Sequence, residues 1–187
     1  MISAFLALAS VLTHPVPAAA RLDDSVAVKT TYVVEKGKGG GARRVAPAAD
    51  SVVVEKATRR LTLFFQGMPL KSYVVALGRN PVGDKVRIGD NRTPEGLFHI
   101  ATRNATSKFY RSLRISYPDA AHQMRADAMG VSPGGDIMIH GLPAGREQVG
   151  GLHRKTDWTE GCIALTNQEI DEIWTLVPDG VPIQIKP

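Results

Sequence analysis

Short apolar runs separated by turn residues fill the chain after residue 50. Ser51 to Glu55, Leu61 to Phe65 and Leu70 to Leu77 are rich in Val, Leu, Phe and Tyr, and Gly67 and Pro69 mark the second turn. Runs of this length, bounded by glycine and proline, predict β-strands. Consecutive strands joined by short turns favour an antiparallel meander.

Two further runs predict strands in the second half of the domain. Leu97 to Ala101 follows the polar stretch GDNRTPEG, and the apolar run GGDIMIHG leads into His140 and Gly141. The second run is apolar enough for a buried strand. Val181 to Ile185 predicts the last strand.

Two stretches carry helix signals instead. In YPDAAHQMRADAMG, Asp119 can cap a short helix and Gly130 can end it. Thr166 and Glu169 fit a capping box, in which a hydroxyl and a carboxylate satisfy free N–H groups at a helix start. Apolar residues then recur at helical spacing and predict a core-facing side: Ile170, Ile173, Trp174 and Val177. The pattern as a whole predicts a β-rich α+β fold.

The first residues resemble an export signal. An apolar run from Ile2 to Leu12 precedes small residues at Ala18 and Ala20, which fit an A-x-A cleavage pattern with Arg21 as the first mature residue. The alternative is a membrane anchor, but the run is shorter than the ~20 residues that spanning needs. We expect a signal peptide over 1–20, a periplasmic or secreted protein, and no stable membrane span after processing.

The following segment has a different composition. Residues 21–49 contain EKGKGGGARRVAPAAD, and glycine, proline and like charges bury little apolar surface. We predict a flexible linker over 21–49, with at most a short strand at 31–34, and a folded domain over 50–187.

The net charge of +5 and the pI of about 9.5 suit an anionic partner such as a nucleic acid, a membrane or a cell-wall polymer. Lys and Arg are scattered, and no basic stripe with interleaved aromatic residues appears. We therefore predict no nucleic-acid partner.

The chain has one cysteine, Cys162, in DWTEGCIALTN. A lone cysteine in an exported protein is an intermolecular link, an inert buried residue or a reactive thiol. The thiolate is the nucleophile, and the free pKa is about 8.5, so a neighbouring group must lower that pKa or take the proton. Gly161 allows a backbone turn that aims N–H groups at an oxyanion.

His140 is the candidate partner among five histidines, because a strand end holds it and Gly141 permits a close approach. His99 alternates with apolar residues and suits a structural role, whereas His122 suits a solvated helix face. His153 is a substrate contact or an exposed side chain. A zinc site formed by His140, His153 and Cys162 matches no regular ligand spacing.

Several motifs together resemble one family. IHG at 139–141 and TEGCIAL at 159–165, with GDNRTPEGLFHI, KFYRSLRISYP and DWTEGCIALTNQEIDEIW, resemble L,D-transpeptidase catalytic domains of the YkuD type, in the YafK-like murein branch. The similarity spans Ser51 to Pro187. It implies a β-sandwich of mixed sheets with a few short helices.

The resemblance also implies roles for individual residues. Cys162 matches the nucleophile and His140 the general base. Gly141 matches the residue whose carbonyl orients the imidazole, and the N–H groups of Gly161 and Cys162 match the oxyanion hole. Four residues are further candidates for substrate contact: Thr159, Trp158, Arg92 and His153. Arg103 and Arg111 are weaker candidates. Many family members have a histidine and an arginine where this chain has Glu160 and Ala164.

The implied reaction is acyl transfer through a cysteine thioester on the third-position diamino acid of peptidoglycan stem peptides, with no metal or cofactor needed. The acceptor is a second stem, a lipoprotein lysine or water. Water would make the chain a hydrolase that releases D-alanine or wall-linked lipoprotein. A different class is a non-catalytic wall-binding module. A third is a cysteine peptidase of another fold, with Asp157 as orienter.

Overall fold

The computed structural model describes residues 33–36, 42–45 and 47–187. Strands β1 (Val33–Lys36) and β2 (Ala42–Val45) pair antiparallel. The sequence predicted at most a short strand over 31–34, whereas the structure has two paired strands, over 33–36 and 42–45. The predicted signal peptide lies outside the described residues, as does most of the predicted linker.

Eight strands form one mixed sheet. They are β3 (Ser51–Glu55), β4 (Arg60–Phe65), β5 (Met68–Val74), β6 (Gly96–Ser107), β7 (Tyr110–Ile115), β8 (Met138–His140), β9 (Ile163–Ala164) and β10 (Pro182–Lys186). Their spatial order is β5-β4-β3-β10-β6-β7-β8-β9. The pairs β3–β10 and β8–β9 are parallel, and the others are antiparallel.

The predicted meander is confirmed as β3, β4 and β5. Its second turn has positive φ at both Gln66 and Gly67, the conformation that matches a tight hairpin to strand twist. β6 extends beyond the predicted Leu97–Ala101, because its polar second half pairs with β7 without an apolar pattern.

Three short helices accompany the sheet: α1 (Ala120–Ala128), a 3₁₀ segment (Glu147–Lys155) broken at Gly150, and α2 (Asn167–Leu176). The predicted caps are confirmed: Asp119 accepts a hydrogen bond from the N–H of His122, and Thr166 and Glu169 form the capping box. Ile170 and Ile173 of α2 are fully buried. The mixed sheet with few short helices confirms the predicted β-rich α+β fold. None of the helices in the described ranges has the length and hydrophobicity to cross a bilayer.

The two edges of the sheet approach each other beyond β5. Ala76 forms an antiparallel bridge with Ala164 of β9, and Gly78 forms a parallel bridge with Thr159. A Cβ at Gly78 would lie 2.2 Å from the carbonyl oxygen of Asn91, so only glycine fits at this position. This contact places residues 76–79 against the segment that carries Cys162.

Candidate active site

Parallel strands β8 and β9 bring His140 and Cys162 together. β8 ends at His140, β9 begins directly after Cys162, and His140 is paired with Ala164. Alternate residues of a strand share a face, so Cys162 extends the side of β9 on which Ala164 lies opposite His140. The strand ends therefore hold the thiol and the imidazole on one side of the sheet.

The imidazole of His140 has a defined tautomer. Its Nδ1 lies 2.7 Å from the carbonyl oxygen of Gly141. A carbonyl oxygen only accepts, so Nδ1 carries the proton and Nε2 keeps its lone pair. The side chain is 2% exposed, and burial lowers the pKa of His140 to about 4, although the Gly141 contact opposes this. His140 is therefore neutral at pH 7.

Aromatic rings hold the imidazole in place. The ring of Phe109 lies 4.4 Å from that of His140, and the ring of Trp158 lies edge-on at 5.8 Å. Trp158 Nε1 donates a 3.3 Å hydrogen bond to Nδ1 of His153. The indole is thus fixed between two histidines.

The start of α2 supports the backbone next to His140. The side-chain oxygen of Asn167 accepts a 2.8 Å hydrogen bond from the N–H of Leu142. A Cβ at Gly141 would lie 2.6 Å from this oxygen, and the N–H of Gly141 donates to the carbonyl of Phe109 at 3.1 Å. The carbonyl that accepts from His140 therefore belongs to a closely packed segment.

Cys162 is half-buried and its thiol is neutral at rest. Its Sγ lies 3.5 Å from the carbonyl oxygen of Asp136, a residue with a positive φ of 54°. Burial raises the pKa of Cys162, and hydrogen bonding from the backbone of Met138 only partly offsets this. Of the two sequence alternatives, a lowered thiol pKa and proton removal by His140, the structure favours the second.

The loop before Cys162 is closed internally by Thr159. Its hydroxyl donates a 2.7 Å hydrogen bond to the carbonyl of Cys162 and accepts one of 3.1 Å from the N–H of Gly161. The N–H of Gly161, one of the two predicted oxyanion donors, is thus paired with Thr159 in this structure, and its oxyanion role stays a prediction. Thr159 is 4% exposed and its hydroxyl is used within the loop, and its substrate contact stays a prediction. The N–H of Cys162 makes no hydrogen bond within residues 47–187.

Gly161 is required by its surroundings. Its φ is +132°, and a Cβ there would lie 2.6 Å from the carbonyl oxygen of Arg92. The guanidinium of Arg92 donates a 3.2 Å hydrogen bond to the carbonyl of Asp84. The structure thus gives Arg92 a backbone contact with the cysteine loop and places its guanidinium against residues 83–84.

A cleft of about 400 Å³ opens beside Trp158. The residues that line it include Leu142, Leu152, Arg79, Arg146 and His153. His153 is 7% exposed, so of its two alternatives the exposed side chain is wrong and the substrate contact stays a prediction. No sequence pattern groups these residues, because Arg79 is distant in the chain and the others are spread over 142–158 without a shared motif.

The remaining candidates lie elsewhere. Arg103 donates to the carbonyls of Trp174 and Val177 at the end of α2, and Arg111 pairs with Asp171. His99 is exposed. His122 is buried rather than solvated, with Nδ1 2.6 Å from a carboxylate oxygen of Asp119 and Nε2 3.2 Å from one of Asp84.

Neither a metal cluster nor a separate orienting carboxylate is found in residues 47–187. That range contains no group of three possible metal ligands. Asp157 accepts from the N–H of Leu77 at 2.9 Å and from the guanidinium of Arg59. The orienter role for Asp157 in a cysteine peptidase is therefore wrong.

Three residues of the site carry no sequence signal that would have found them. Phe109 lies in KFYRSLRISYP, one of the motifs that resemble the family, but nothing in that run marks Phe109 as a neighbour of His140. The carbonyl of Asp136 reaches the thiol through an unusual backbone conformation that composition does not reveal. Asn167 acts across the fold, as the first residue of α2.

The comparisons with known proteins agree on one family. The model of the YkuD L,D-transpeptidase catalytic domain matches residues 49–185. The YafK protein of Escherichia coli (strain K12), an L,D-transpeptidase by name, is 30% identical over 132 residues, which are 67% of this chain and 46% of YafK. This chain thus spans less than half of that relative's length.

Solved structures show the same fold. Pgp2, the helical cell shape determining protein of Campylobacter jejuni, aligns with a TM-score of 0.57 and 21% identity over 75% of this chain and 48% of its own. Bd1075 of Bdellovibrio bacteriovorus aligns with a TM-score of 0.52 and 20% identity over the same shares. The match of the family model over residues 49–185 shows that the chain belongs to the L,D-transpeptidase catalytic domain family of the YkuD type.

Proposed function

We propose that this chain is an exported acyltransferase of peptidoglycan that works through a thioester on Cys162. The acyl donor is a stem peptide, and the attacked carbonyl belongs to the diamino acid at its third position. Family membership supports the reaction class. The donor and the cysteine mechanism rest on the site geometry and on the motifs around Cys162.

The observation that carries the proposal is the hydrogen bond from Nδ1 of His140 to the carbonyl of Gly141. It leaves a lone pair on Nε2 of a neutral imidazole, on the side of the sheet where the strand register places the neutral thiol of Cys162. Such a pair suits general-base catalysis, in which the proton moves as the nucleophile attacks. A thiolate–imidazolium pair at rest would require a lowered pKa for Cys162 and a raised pKa for His140, the opposite of the directions found.

The proposed steps balance in protons. Nε2 of His140 takes the proton of Cys162 as Sγ bonds to the carbonyl carbon. Collapse of the tetrahedral intermediate breaks the bond to the terminal D-alanine, and His140 gives its proton to the leaving amine. An acceptor then loses a proton to His140 and attacks the thioester, after which the proton returns to the thiol.

The N–H of Cys162 is the proposed donor to the oxyanion. It makes no hydrogen bond within residues 47–187, in contrast to the N–H of Gly161. One such donor contributes roughly 3–4 kcal/mol to transition-state stabilisation. The hydrogen bond from the Thr159 hydroxyl to the carbonyl of Cys162 fixes the loop that presents this N–H.

The acceptor decides between two versions of the activity. An amine of a second stem peptide gives a cross-link, and a lipoprotein lysine gives a wall-anchored protein. Water gives hydrolysis. Both amine acceptors belong to the cell wall or to proteins linked to it, which agrees with the A-x-A pattern that predicts export.

Mass spectrometry of muropeptides tests the proposal. Purified protein is incubated with isolated sacculi and with a synthetic stem tetrapeptide, alongside Cys162→Ala as the matched inactive control. We expect release of D-alanine with dimers or tripeptides only in the wild type. Dimers identify an amine acceptor and tripeptides identify water. Binding of sacculi without any covalent change in either protein would support the wall-binding module instead.

A further inference from the structure

Two buried lysines contact the long segment between β5 and β6. Lys56 and Lys85 are 2% and 3% exposed. Each pairs with a carboxylate of that segment, Lys56 with Glu95 at 2.7 Å and Lys85 with Asp90 at 2.8 Å. Lysine is almost never fully buried unless it is paired, because its ammonium group loses hydration inside a protein. The contacts of the two ammonium groups differ, and the difference separates a structural role from a functional one.

The ammonium group of Lys56 is fully used by the fold. It donates to its carboxylate partner and to two main-chain carbonyls, so each of its three N–H groups has an acceptor. Lys85 donates only to its carboxylate partner and, at 3.2 Å, to the carbonyl of Arg87. The nearby Asp84 and Arg125 pair with each other at 2.6 Å. One N–H of Lys85 therefore has no acceptor within residues 47–187, and Lys85 keeps unused capacity to stabilise negative charge.

Asp90 fixes Lys85 and the backbone next to it. One of its carboxylate oxygens accepts from Nζ of Lys85 and, at 3.0 Å, from the N–H of Arg92. The other accepts from the N–H groups of Val86 and Arg87. Burial opposes ionisation, but these four hydrogen bonds lower the pKa of Asp90 to about 2. The carboxylate is therefore ionised at pH 7, and it holds the ammonium group close to the Arg92 peptide.

The Arg92 peptide lies directly behind the cysteine loop. A Cβ at Gly161 would lie 2.6 Å from the carbonyl oxygen of Arg92, and a Cβ at Gly78 would lie 2.2 Å from that of Asn91. These two successive carbonyls pack against the residue before the nucleophile and against the segment that is bridged to the cysteine loop. One carboxylate oxygen and one peptide unit therefore connect the ammonium group of Lys85 to that loop.

Lys85 is the buried charge that acts on the thiol. Burial is the main influence on the pKa of Cys162 and raises it, whereas a backbone hydrogen bond and the positive charge of Lys85 lower it. The carboxylates of Asp136 and Glu160 raise it, but their side chains are 75% and 82% exposed, so water and salt screen their charges. His140 is neutral at pH 7. Of these charges, that of Lys85 has the least screening.

We propose that Lys85 supplies the buried positive charge that stabilises the negative charge developing on Cys162 and on the oxyanion during attack, and that Asp90 positions it. The inference rests on the proposed function and adds a residue to its site. Negative charge develops only as His140 takes the proton, so a fixed cation in a region of low dielectric favours the transition state over the neutral resting pair. Lys85 transfers no proton, and the proton balance of the steps is unchanged.

Alkylation by iodoacetamide at a series of pH values tests the charge of Lys85 without any peptide substrate. Lys85→Gln keeps an N–H donor for Asp90 but removes the positive charge, so the alkylation midpoint should move to higher pH than in the wild type. Lys85→Arg keeps the charge and should keep the midpoint. Lys56→Gln is the matched control, because it removes an equally buried ammonium group and should leave the midpoint unchanged.

Asp90→Asn separates the charge of Lys85 from the structure of the segment. The amide NH₂ cannot accept from the N–H groups of Val86 and Arg87, so this variant should be destabilised while the positive charge remains. Its midpoint should not rise. An unchanged midpoint in Lys85→Gln, or an equal rise in Lys85→Gln and Asp90→Asn, would overturn the inference. Lys85→Met also lacks the charge, and it takes the place of Lys85→Gln if that variant does not fold.

Acylation by a synthetic stem tetrapeptide provides a second measurement. At saturating peptide, Lys85→Gln should be acylated roughly 10-fold more slowly than the wild type. This is a smaller loss than the about 100-fold or more expected for an oxyanion donor, because Lys85 does not touch the oxyanion. The peptide concentration that gives half of the maximal rate should stay the same, since Lys85 binds no part of the peptide. An unchanged maximal rate with weaker half-saturation would contradict the proposed role.

The two proposals fail in different ways. Acylation of the wild type with no midpoint shift in Lys85→Gln would overturn the role of Lys85 and leave the proposed reaction intact. A midpoint shift in Lys85→Gln without any acylation of the wild type would overturn the reaction and leave the coupling of Lys85 to the thiol intact.

Discussion

The hydroxyl of Thr159 donates a 2.7 Å hydrogen bond to the carbonyl oxygen of Cys162. The same hydroxyl accepts from the N–H of Gly161, so one side chain satisfies both backbone groups of the loop. The loop conformation that presents the Cys162 N–H therefore depends on a buried residue that does not face the substrate.

Thr159→Val should destabilise the protein and lower its activity. Valine has a similar shape but leaves the N–H of Gly161 without a partner, which costs about 1–3 kcal/mol when buried. Urea unfolding measures the loss, and Thr159→Ser should recover most of it. If Thr159→Val and Thr159→Ser have the same stability and turnover, the hydrogen bonds of the Thr159 hydroxyl have no energetic role.

Gly161→Ala should be far more damaging than a typical glycine substitution. Its positive φ is unfavourable for alanine, and the new Cβ would meet the Arg92 carbonyl at 2.6 Å. We expect a loss of at least about 2 kcal/mol in unfolding free energy. Gly135→Ala is the matched control, since a Cβ at Gly135 would have no atom within 4 Å and the φ there is ordinary. Comparable thermal stability of the two variants would contradict the close packing around Gly161.

The pH dependence of alkylation by iodoacetamide should reveal a thiol that is neutral at rest. Burial raises the pKa of Cys162, so the alkylation rate should rise only above the free-thiol value of about 8.5. His140→Asn should leave this midpoint nearly unchanged while it abolishes turnover, because His140 acts during the attack. A midpoint well below 8.5 in the wild type would indicate a resting thiolate–imidazolium pair instead.

The free energy of unfolding should fall as the pH is lowered from about 6.5 to about 4. The folded-state pKa of His140 is about 4 and its unfolded value is 6.5, so the unfolded chain binds more protons in this window. The contribution of His140 is complete above pH 6.5 and lost as the pH falls towards 4, by about 3 kcal/mol at 1.36 kcal/mol per pKa unit.

Denaturant unfolding at several pH values measures this slope. His140→Phe keeps an aromatic ring beside Phe109 and should flatten the slope. Part of the slope should remain because the pKa of His153 is lowered in the same direction. An unchanged slope in His140→Phe would show that His140 is not buried as a neutral ring.

The elements that the sequence predicted well are those with local signals. β3 shows strict alternation with Val52 and Val54 buried, and α2 carries its capping box in four consecutive residues. Thr166 and Glu169 can form the hydrogen bonds of the capping box because they are three residues apart at the start of a helix. Motifs at Cys162 and His140 were recognisable for the same reason, since each is a short contiguous run.

The parts that were missed depend on distant residues. The use of the Gly161 N–H by Thr159 requires the side-chain rotamer, and the burial of His153 requires the 3₁₀ segment to fold over Trp158. No short-range pattern encodes the second half of β6 either, because its exposed polar residues are held by pairing with β7. These features arise from tertiary contacts and had to be observed.

The most direct test of the account is the intact mass of the protein after incubation with a synthetic stem tetrapeptide. We predict a covalent adduct with the mass of the tetrapeptide minus its terminal D-alanine, located on Cys162 by peptide mapping and cleaved by hydroxylamine as a thioester. The adduct should be absent in Cys162→Ala and formed far more slowly in His140→Asn. An adduct of equal yield in Cys162→Ala, or D-alanine release by the wild type with no dependence on Cys162, would contradict the account.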